Sequence, residues 1–306
     1  MARQPQFLLS ALQLLLLNPS VGNRVLDLQN SQTSLTPPAT GSSFLELLSP
    51  PASPKSSTIK LTCSVFGSRA LPHSVPFSPQ ARLSCEVKLA PFASSHKRRG
   101  YVRDHRERDL SVQLVTALDR YPKSGIDVFI TVGCEGEAGA ATGVSNYQAG
   151  GKSGGGVEVG LLGVLAGAIT CASAAIADAG IECLDLVSGG VAALVRKRGL
   201  DIDVKGSEMR NVTSMEELIV VQDPSPEEHA PGDIVAACAV GYMAAREELT
   251  ELWMRGSVEL SIDDEDHDQD DLDRVIEGAI MAATETRRVL NEAVAERLLY
   301  AIKSQE

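Results

Sequence analysis

Two stretches in the first third of the chain alternate apolar and polar residues with a period of two. In residues 58–65 (TIKLTCSV) every second side chain is apolar, and residues 82–89 (RLSCEVKL) repeat the pattern. This period is typical of a strand that buries one face. A connection rich in Pro and Ser separates the two, so we expect them to be neighbours in an antiparallel meander. Residues 42–50 (SSFLELLSP) predict a further short strand.

Three stretches have the periodicity or composition of helices. From Glu107 on, leucines recur every four residues until Pro122 ends the pattern. Residues 159–177 are uncharged and mostly small, and residues 272–302 carry a long apolar stripe. Further strands are predicted at the stretches GIDVFITVGC, CLDLVSGGVAALV (with a possible Gly-Gly break), EELIVVQD and DIVAACAVGYM, and REELTELWMRG is predicted as a strand end or a turn into a helix. The order indicates an α+β fold, with helices packed on one face of a mixed, mostly antiparallel sheet.

Two apolar segments raise the question of a membrane. Residues 7–17 (FLLSALQLLLL) have the length of a signal-peptide core, but only one Arg precedes them and no clear cleavage site follows. Residues 159–177 are long enough to span a bilayer and contain a GxxxG pair at Gly163 and Gly167. Small side chains gain little by entering lipid, so a helix pressed tightly against a sheet explains this segment better. A membrane-anchored scaffold remains an alternative hypothesis.

The charge of the chain is concentrated in one stretch. The formal net charge is −12, and Asp263–Asp273 alone carries eight acidic residues; without them the charge is −4. A run of this density is typical of a solvated, disordered loop. The rest of the chain is therefore only mildly acidic, which leaves room for local basic patches. The six cysteines form no CxxC pair, which predicts reduced, buried thiols with no metal site and no cofactor.

The composition also predicts the domain organisation. Residues 1–41 are expected to form a poorly structured tail, and residues 42–303 a single domain. Insertions within that domain are predicted at about 135–156, which is Gly-rich, and at 197–212 and 260–271, which are polar.

A basic segment precedes the first predicted helix and is the candidate RNA-binding site. Its residues are Lys97, Arg98, Arg99, Tyr101, Arg103, Arg106 and Arg108. Basic side chains contact phosphates without regard to sequence, and an aromatic ring among them can stack a base. The alternative is a solvated loop that pairs with neighbouring acids, with Arg106 and Arg108 serving the packing of the helix.

Four stretches, in this order, resemble the core of a known family: LSCEVKLAPFA, RERDLSVQLVTAL, YPKSGIDVFITV and AITCASAAIADAGIECLDLVSGG. They are similar to the RNase PH family, which includes bacterial RNase PH, polynucleotide phosphorylase and six ring subunits of the eukaryotic RNA exosome. Within it, the chain looks most like the fungal form of one exosome ring subunit. The resemblance implies an RNase PH-like (ribosomal protein S5 domain 2-like) βαβα domain.

The resemblance also implies that the phosphorolytic site is degenerate. Of the family's acidic segment, Asp223, Glu227 and Glu228 are kept as a remnant, whereas the position of the catalytic Asp is His229. The phosphate-binding Arg of active members aligns near Leu165, and no Lys or Arg lies between Lys152 and Arg196. Without a fixed cation, phosphate loses its main electrostatic anchor. No catalytic residue is therefore assigned.

The resemblance then implies a non-catalytic, RNA-binding subunit of the exosome ring that supports 3′-to-5′ RNA processing and degradation. Its expected partners are other RNase PH-type ring subunits, S1/KH cap subunits and single-stranded RNA, with no membrane. Its expected location is the nucleus and nucleolus, and also the cytoplasm. The alternative from the enzyme class is a phosphate-dependent 3′ exoribonuclease with a rearranged site.

Overall fold

The structure is a computed structural model that describes residues 38–48, 58–69, 82–91, 93, 105–119, 125–135, 159–196, 218–224, 234–256 and 265–303. The tail predicted at 1–41 lies outside this part except for residues 38–41, and so do nearly all of the insertions predicted at 135–156 and 197–212. The elements are β1 (Gly41–Leu48), β2 (Thr58–Arg69), β3 (Arg82–Leu89), α1 (His105–Leu118), β4 (Gly125–Glu135), α2 (Val159–Asp178), β5 (Ser188–Arg196), β6 (Leu218–Gln222), β7 (Ile234–Met243), β8 (Glu248–Gly256) and α3 (Glu265–Lys303).

The first sheet has the strand order β1-β2-β4-β3. β2 is antiparallel to β1 and to β4, whereas β3 is parallel to β4. The predicted meander of β2 and β3 is therefore wrong, because β4 lies between them. Parallel strands need a crossover connection, and α1 supplies it between β3 and β4. Alternation identifies a half-buried strand but does not say which strand is its neighbour.

The second sheet has the order β6-β5-β7-β8 and is antiparallel throughout. REELTELWMRG contributes the strand β8, so the prediction of a turn into a helix is wrong. A register shift opposite Gly241 and Tyr242 of β7 interrupts the alternation of apolar and polar residues in β8. Leu249 and Leu252 are therefore three positions apart, which is also a spacing found in helices. β5 runs through Gly189 and Gly190 without a break.

The helices cover both faces of the second sheet. α2 lies between the sheets and packs against β1 and β2 on one side and β5 and β7 on the other, whereas α3 packs on the opposite face of β5 and β7. A Cβ at Gly189 would lie 2.1 Å from the Ala166 carbonyl oxygen, and one at Gly190 would lie 2.2 Å from that of Ala279. The glycine pair thus admits a helix on each face of β5. The α+β class is confirmed, but the prediction of one mixed sheet with helices on one face is wrong, because the strands form two sheets and the second has helices on both faces.

α2 is the central helix of the core. Within the described residues it is the one helix long and apolar enough to cross a membrane, and 83% of its most apolar window is buried inside the structure. α2 ends at Asp178, and Gly180, whose φ is +68°, follows two residues later. Ile181 N–H donates to the Ile176 carbonyl oxygen, which closes a Schellman motif. The small residues of α2 therefore serve close packing.

α3 is 39 residues long and begins inside the acidic stretch. The prediction of a loop there is wrong from Glu265 on. Carboxylates are favourable in the first turns of a helix because they face the positive end of its dipole. A dense run of acids at a helix start is thus compatible with helix, although its composition resembles that of a disordered segment.

Candidate functional site

The start of α1 is fixed to the edge of the first sheet. Glu107 is buried, and its Oε1 accepts a hydrogen bond of 2.9 Å from Leu89 N–H of β3. Ser111 Oγ accepts one of 3.0 Å from Val87 N–H and donates to the Glu107 carbonyl oxygen at 2.6 Å. Leu110 and Leu114 are buried beneath the helix. These contacts hold the helix that carries two of the candidate RNA-binding residues.

Arg106 and Arg108 point in different directions from this anchored turn. Residues two apart on a helix project about 200° from each other, and Arg106 is half-buried whereas Arg108 is exposed. Arg108 lies on the rim of a groove of about 280 Å³ between β3 and α1, whose apolar walls include Val112 and Val115. Arg108 thus reaches the surface, whereas the position of Arg106 fits the alternative packing role.

The groove also contains a thiol. Cys85 is one of the residues that line it, and burial raises the pKa of this thiol to about 12. At neutral pH it is therefore protonated and not a nucleophile. The remaining candidate RNA-binding residues lie outside the described residues: Lys97, Arg98, Arg99, Tyr101 and Arg103.

Asp223 follows directly on β6, at the edge of the second sheet. Its φ is +48°, and its N–H donates to the Val191 carbonyl oxygen at 2.9 Å. The next residue, Pro224, is buried. Asp223 thus turns the chain out of the sheet. Glu227, Glu228 and His229 lie outside the described residues.

The structure does not bring Asp223 next to Arg106 and Arg108 of α1. α1 lies against β3 of the first sheet and against β8 of the second, whereas β6 is at the other edge of that second sheet. Two strands separate β6 from β8, which corresponds to about 14 Å at the usual strand spacing. Within the part of the chain that is described, no group of three His, Cys, Asp or Glu residues is placed to hold a metal ion.

The resemblance places the phosphate-binding Arg of active members near Leu165, and this position is in the core. Leu165 lies in the first half of α2 and is fully buried, as are its neighbours Val164 and Ala166. A cation there would have no water and no room beside the two sheets. No Lys or Arg occurs from residue 153 to residue 195. This stretch includes α2, which packs between the two sheets.

Two acid–arginine pairs, which the sequence pattern did not single out, fix α3 to the rest of the fold. Asp178 Oδ1 accepts from Arg297 Nε at 2.8 Å, and its Oδ2 accepts from Ser42 N–H at 3.1 Å. Asp185 Oδ1 accepts from Arg287 Nη2 at 2.5 Å, and Arg287 Nη1 also donates to the Leu186 carbonyl oxygen. An acid at the C-terminal end of a helix, as Asp178 is, opposes the dipole and was the available clue to a basic partner. Both arginines are committed to structure.

The comparisons with known proteins agree with this architecture. The model of the 3′ exoribonuclease family, domain 1 (RNase PH), matches residues 30–182. The chain is also 41% identical over 271 residues to the exosome complex component MTR3 of Chaetomium thermophilum, which covers 87% of this chain and 83% of the relative. The chain belongs to the RNase PH family. The resemblance drawn from its four sequence stretches is thereby confirmed.

A second fungal member of the RNase PH family is more distant. The exosome complex component mtr3 of Schizosaccharomyces pombe is 31% identical over 274 residues, which cover 88% of this chain and 81% of that relative. Among solved structures, Rrp46 of rice (Oryza sativa) aligns over 82% of this chain and 94% of its own, with a TM-score of 0.49 and 13% identity. Both of these relatives are named exosome complex components, in agreement with the resemblance to a fungal exosome subunit that the sequence indicated.

Proposed function

We propose that this RNase PH-family chain is a structural, RNA-binding subunit of an exosome core ring, without catalysis of its own. The carrying observation is its 41% identity to a named exosome component over 87% of its length. Its partners are then other RNase PH-type ring subunits, S1/KH cap subunits and single-stranded RNA, and no cofactor is needed. The ring would act in the nucleus and nucleolus and in the cytoplasm.

The lack of catalysis is supported by the core position of Leu165. Phosphorolysis joins two anions, an RNA phosphodiester and orthophosphate, and needs preorganised cations to hold them. At the aligned position this chain has a fully buried leucine within a helix that carries no base. The remnant acids Asp223, Glu227 and Glu228, with His229 in place of the catalytic Asp, do not supply that positive charge.

The RNA contact is supported by the basic segment and by the exposure of Arg108 at its end. Six basic residues stand within twelve positions, and the last of them lies on the rim of the groove beside β3. Such contacts are electrostatic, so binding should fall steeply with salt. Replacing Arg108 by Ala should weaken the binding of a single-stranded RNA by a few-fold and lower the salt slope by about one.

The alternative enzyme is distinguished by an assay of the purified chain. A 3′-extended RNA is incubated with inorganic phosphate, with and without Mg²⁺, and nucleoside diphosphate is measured; we expect none above background. Release that Glu228→Ala abolishes would overturn the non-catalytic assignment. Ring membership is tested separately by co-expression with RNase PH-type subunits of the same organism, where recovery of a stoichiometric complex is expected and failure to associate would contradict it.

A further inference from the structure

The first sheet has an inner face that packs against helices and an outer face that does not share their core. Leu45, Leu61 and Val128 of the inner face belong to one buried apolar cluster with the leucines of α1 and α2. The residues between them along each strand point to the opposite face. Among the described residues of these strands, none on this outer face is buried. The outer face is therefore a surface that a ligand can reach.

Three phenylalanines lie on the outer face, each on a different strand. Phe44 is on β1, Phe66 on β2 and Phe129 on β4, and these strands are neighbours in the sheet. Phe129 is 41% exposed, and the Phe66 ring meets it edge to face with the ring centroids 5.7 Å apart. The residue opposite Phe129 on β2 is the small Ser64. An exposed aromatic ring in such a setting is a surface on which a nucleic-acid base can stack.

Basic side chains surround these phenylalanines. Lys60 and Arg69 lie towards the two ends of β2, and Arg82 and Lys88 lie towards the two ends of the edge strand β3. All four residues are exposed. Arg69 and Arg82 both stand opposite Gly125 of β4, one from each side. Their strands are thus about 10 Å apart, which places two cations at one end of the sheet.

The acidic residues of the outer face do not cancel this positive charge. Three of the cations have a carboxylate within 3.0–3.4 Å: Lys60 has Glu46, Arg69 has Asp127 and Lys88 has Glu86. The basic partners are 47–63% exposed, and an ion pair in such contact with water is worth little. With four bases and three acids, the outer face is slightly positive in a chain whose net charge is −12.

The outer face adjoins the candidate RNA-binding site at the start of α1. Glu86 of β3 lines the same groove as Arg108. A strand of RNA that contacts Arg108 can therefore pass over β3 onto the sheet. Phe129 lies one strand from β3 and Phe44 lies three strands from it, which corresponds to about 5 and 14 Å. A four-stranded sheet with aromatic side chains on its open face is an arrangement that stacks two or three RNA bases.

We propose that the outer face of the first sheet is a second contact surface for single-stranded RNA. Bases stack on Phe129 and Phe44, and Arg82 and Lys88 contact the phosphates. The inference rests on the proposed RNA binding and deepens it. RNA is favoured over a protein partner because Thr62 and Ser64 of β2 lie between the rings on the neighbouring strands, whereas a protein docks on a contiguous apolar patch.

Photochemical cross-linking locates the RNA on the full chain. An oligouridine of about ten nucleotides that carries 5-iodouridine is bound at low salt and irradiated, and the modified residues are mapped by mass spectrometry. We expect cross-links at Phe129 or Phe44. Cross-links confined to residues 97–108 would overturn this inference and leave the proposed RNA binding in place. An RNA that does not bind at all would overturn both.

Substitutions at Phe129 test for stacking, with the dissociation constant of the same RNA measured by fluorescence anisotropy. Phe129→Ala should weaken binding by about tenfold, and Phe129→Leu, which keeps an apolar side chain without the ring, by a similar factor. Phe129→Tyr keeps the ring and should bind within about twofold of the original. Leu184→Ala is the control, because Leu184 is 59% exposed in the loop before β5, and it should have no effect. Undiminished binding by Phe129→Ala or Phe129→Leu would overturn the inference and leave the face to a protein partner.

A substitution outside the core tests the phosphate contact. Arg82 is exposed at the start of β3, so Arg82→Gln is expected to fold normally. Removing one phosphate contact to a single strand should lower the slope of log affinity against log salt by about 0.7. Arg288→Gln is the matched control, since Arg288 is 56% exposed on α3, and it should leave the slope unchanged. Equal slopes for the two variants would show that Arg82 does not contact RNA and would overturn the inference.

Discussion

β3 and β8 are both edge strands, but their surroundings differ. Along β3, the Val87 and Leu89 N–H groups donate to Ser111 and Glu107 of α1, so side chains of the same molecule close the edge. β8 has a different surface: α1 packs against this strand, and its side chains Leu249 and Leu252 are exposed. A closed edge blocks pairing with another chain, whereas an open apolar edge invites it. The contrast separates an edge that side chains of the same molecule hold from a strand that displays apolar residues.

The largest expected effect concerns the anchor of the hairpin that leads into β8. Asp185 Oδ2 accepts from Ala245 N–H in the β7–β8 turn at 3.0 Å, and its Oδ1 pairs with Arg287. Both side chains are nearly buried, at 6% and 13% exposure. Arg287→Met leaves a buried carboxylate without its cation, so we expect a loss of about 3 kcal/mol in the free energy of unfolding, measured by urea titration.

The neighbouring arginine provides the control for this variant. Arg288 is 56% exposed and lies 3.9 Å from Glu292 on the same helix. Arg288→Met should change the free energy of unfolding by less than about 0.5 kcal/mol. If the two methionine variants lose equal stability, the Asp185–Arg287 pair does not anchor the hairpin.

The next effect concerns the closed edge. Glu107→Ala removes the acceptor of Leu89 N–H and leaves a buried donor unsatisfied, which should cost about 2 kcal/mol of unfolding free energy. Glu107→Gln retains a carbonyl oxygen and should cost about half of that. Chemical denaturation followed by circular dichroism measures both. Equal losses would mean that the charge, and not the acceptor, is what matters at this position.

A smaller effect is expected one turn further along α1. Ser111 is only partly buried, so water can reach Val87 N–H when the hydroxyl is removed. Ser111→Ala should therefore cost about 1 kcal/mol or less of unfolding free energy. Hydrogen exchange at the Val87 amide should also become faster. The increase should be at least the factor by which the substitution raises the equilibrium constant of unfolding. Unchanged protection of that amide would show that Ser111 does not close the edge.

The smallest effect on stability belongs to the open edge. Leu252→Lys replaces a side chain that is 44% exposed and should change the free energy of unfolding of the monomer by less than about 0.5 kcal/mol. The matched substitution at the closed edge is Val112→Lys. Val112 lies on α1 beside β3, and its side chain is 57% exposed. Thermal unfolding at low micromolar concentration compares the two. A loss of several kcal/mol at Leu252 would mean that β8 needs this residue for its own fold.

The periodicity of apolar residues predicted where helices and strands lie along the chain, but not which of them lie beside one another. The leucines of α1, the uncharged run of α2 and the alternation in β2 and β3 each predicted an element that the structure contains. The same alternation predicted a β2–β3 meander, because a single strand holds no information about which strand lies beside it. For β8 the sequence left a strand end and a turn into a helix open, since the register shift opposite Gly241 disturbs the period of two. The acidic start of α3 was taken for a loop, because composition does not distinguish solvated helix from solvated coil.

For the candidate site, the sequence identified the residue types, whereas their burial and their contacts depend on the fold. The lack of a base between Lys152 and Arg196 was visible in the sequence, whereas only packing shows that the aligned Leu165 is in the core. Arg106 and Arg108 were a pair by sequence, yet the helix sends them in different directions. The roles of Asp178 and Asp185 depend on arginines more than a hundred residues away, and no local pattern contains that information.

The sequence by itself determined the family, the α+β class and the uncharged central helix, because motif order and periodicity are local properties of the chain. The tertiary structure alone decided that the strands form two sheets, that β4 separates β2 from β3, and that side chains of α1 close the edge of β3. These are consequences of which surfaces meet when distant segments bury their apolar faces together. A period along the chain records that a face is buried, but only the folded molecule shows what buries it.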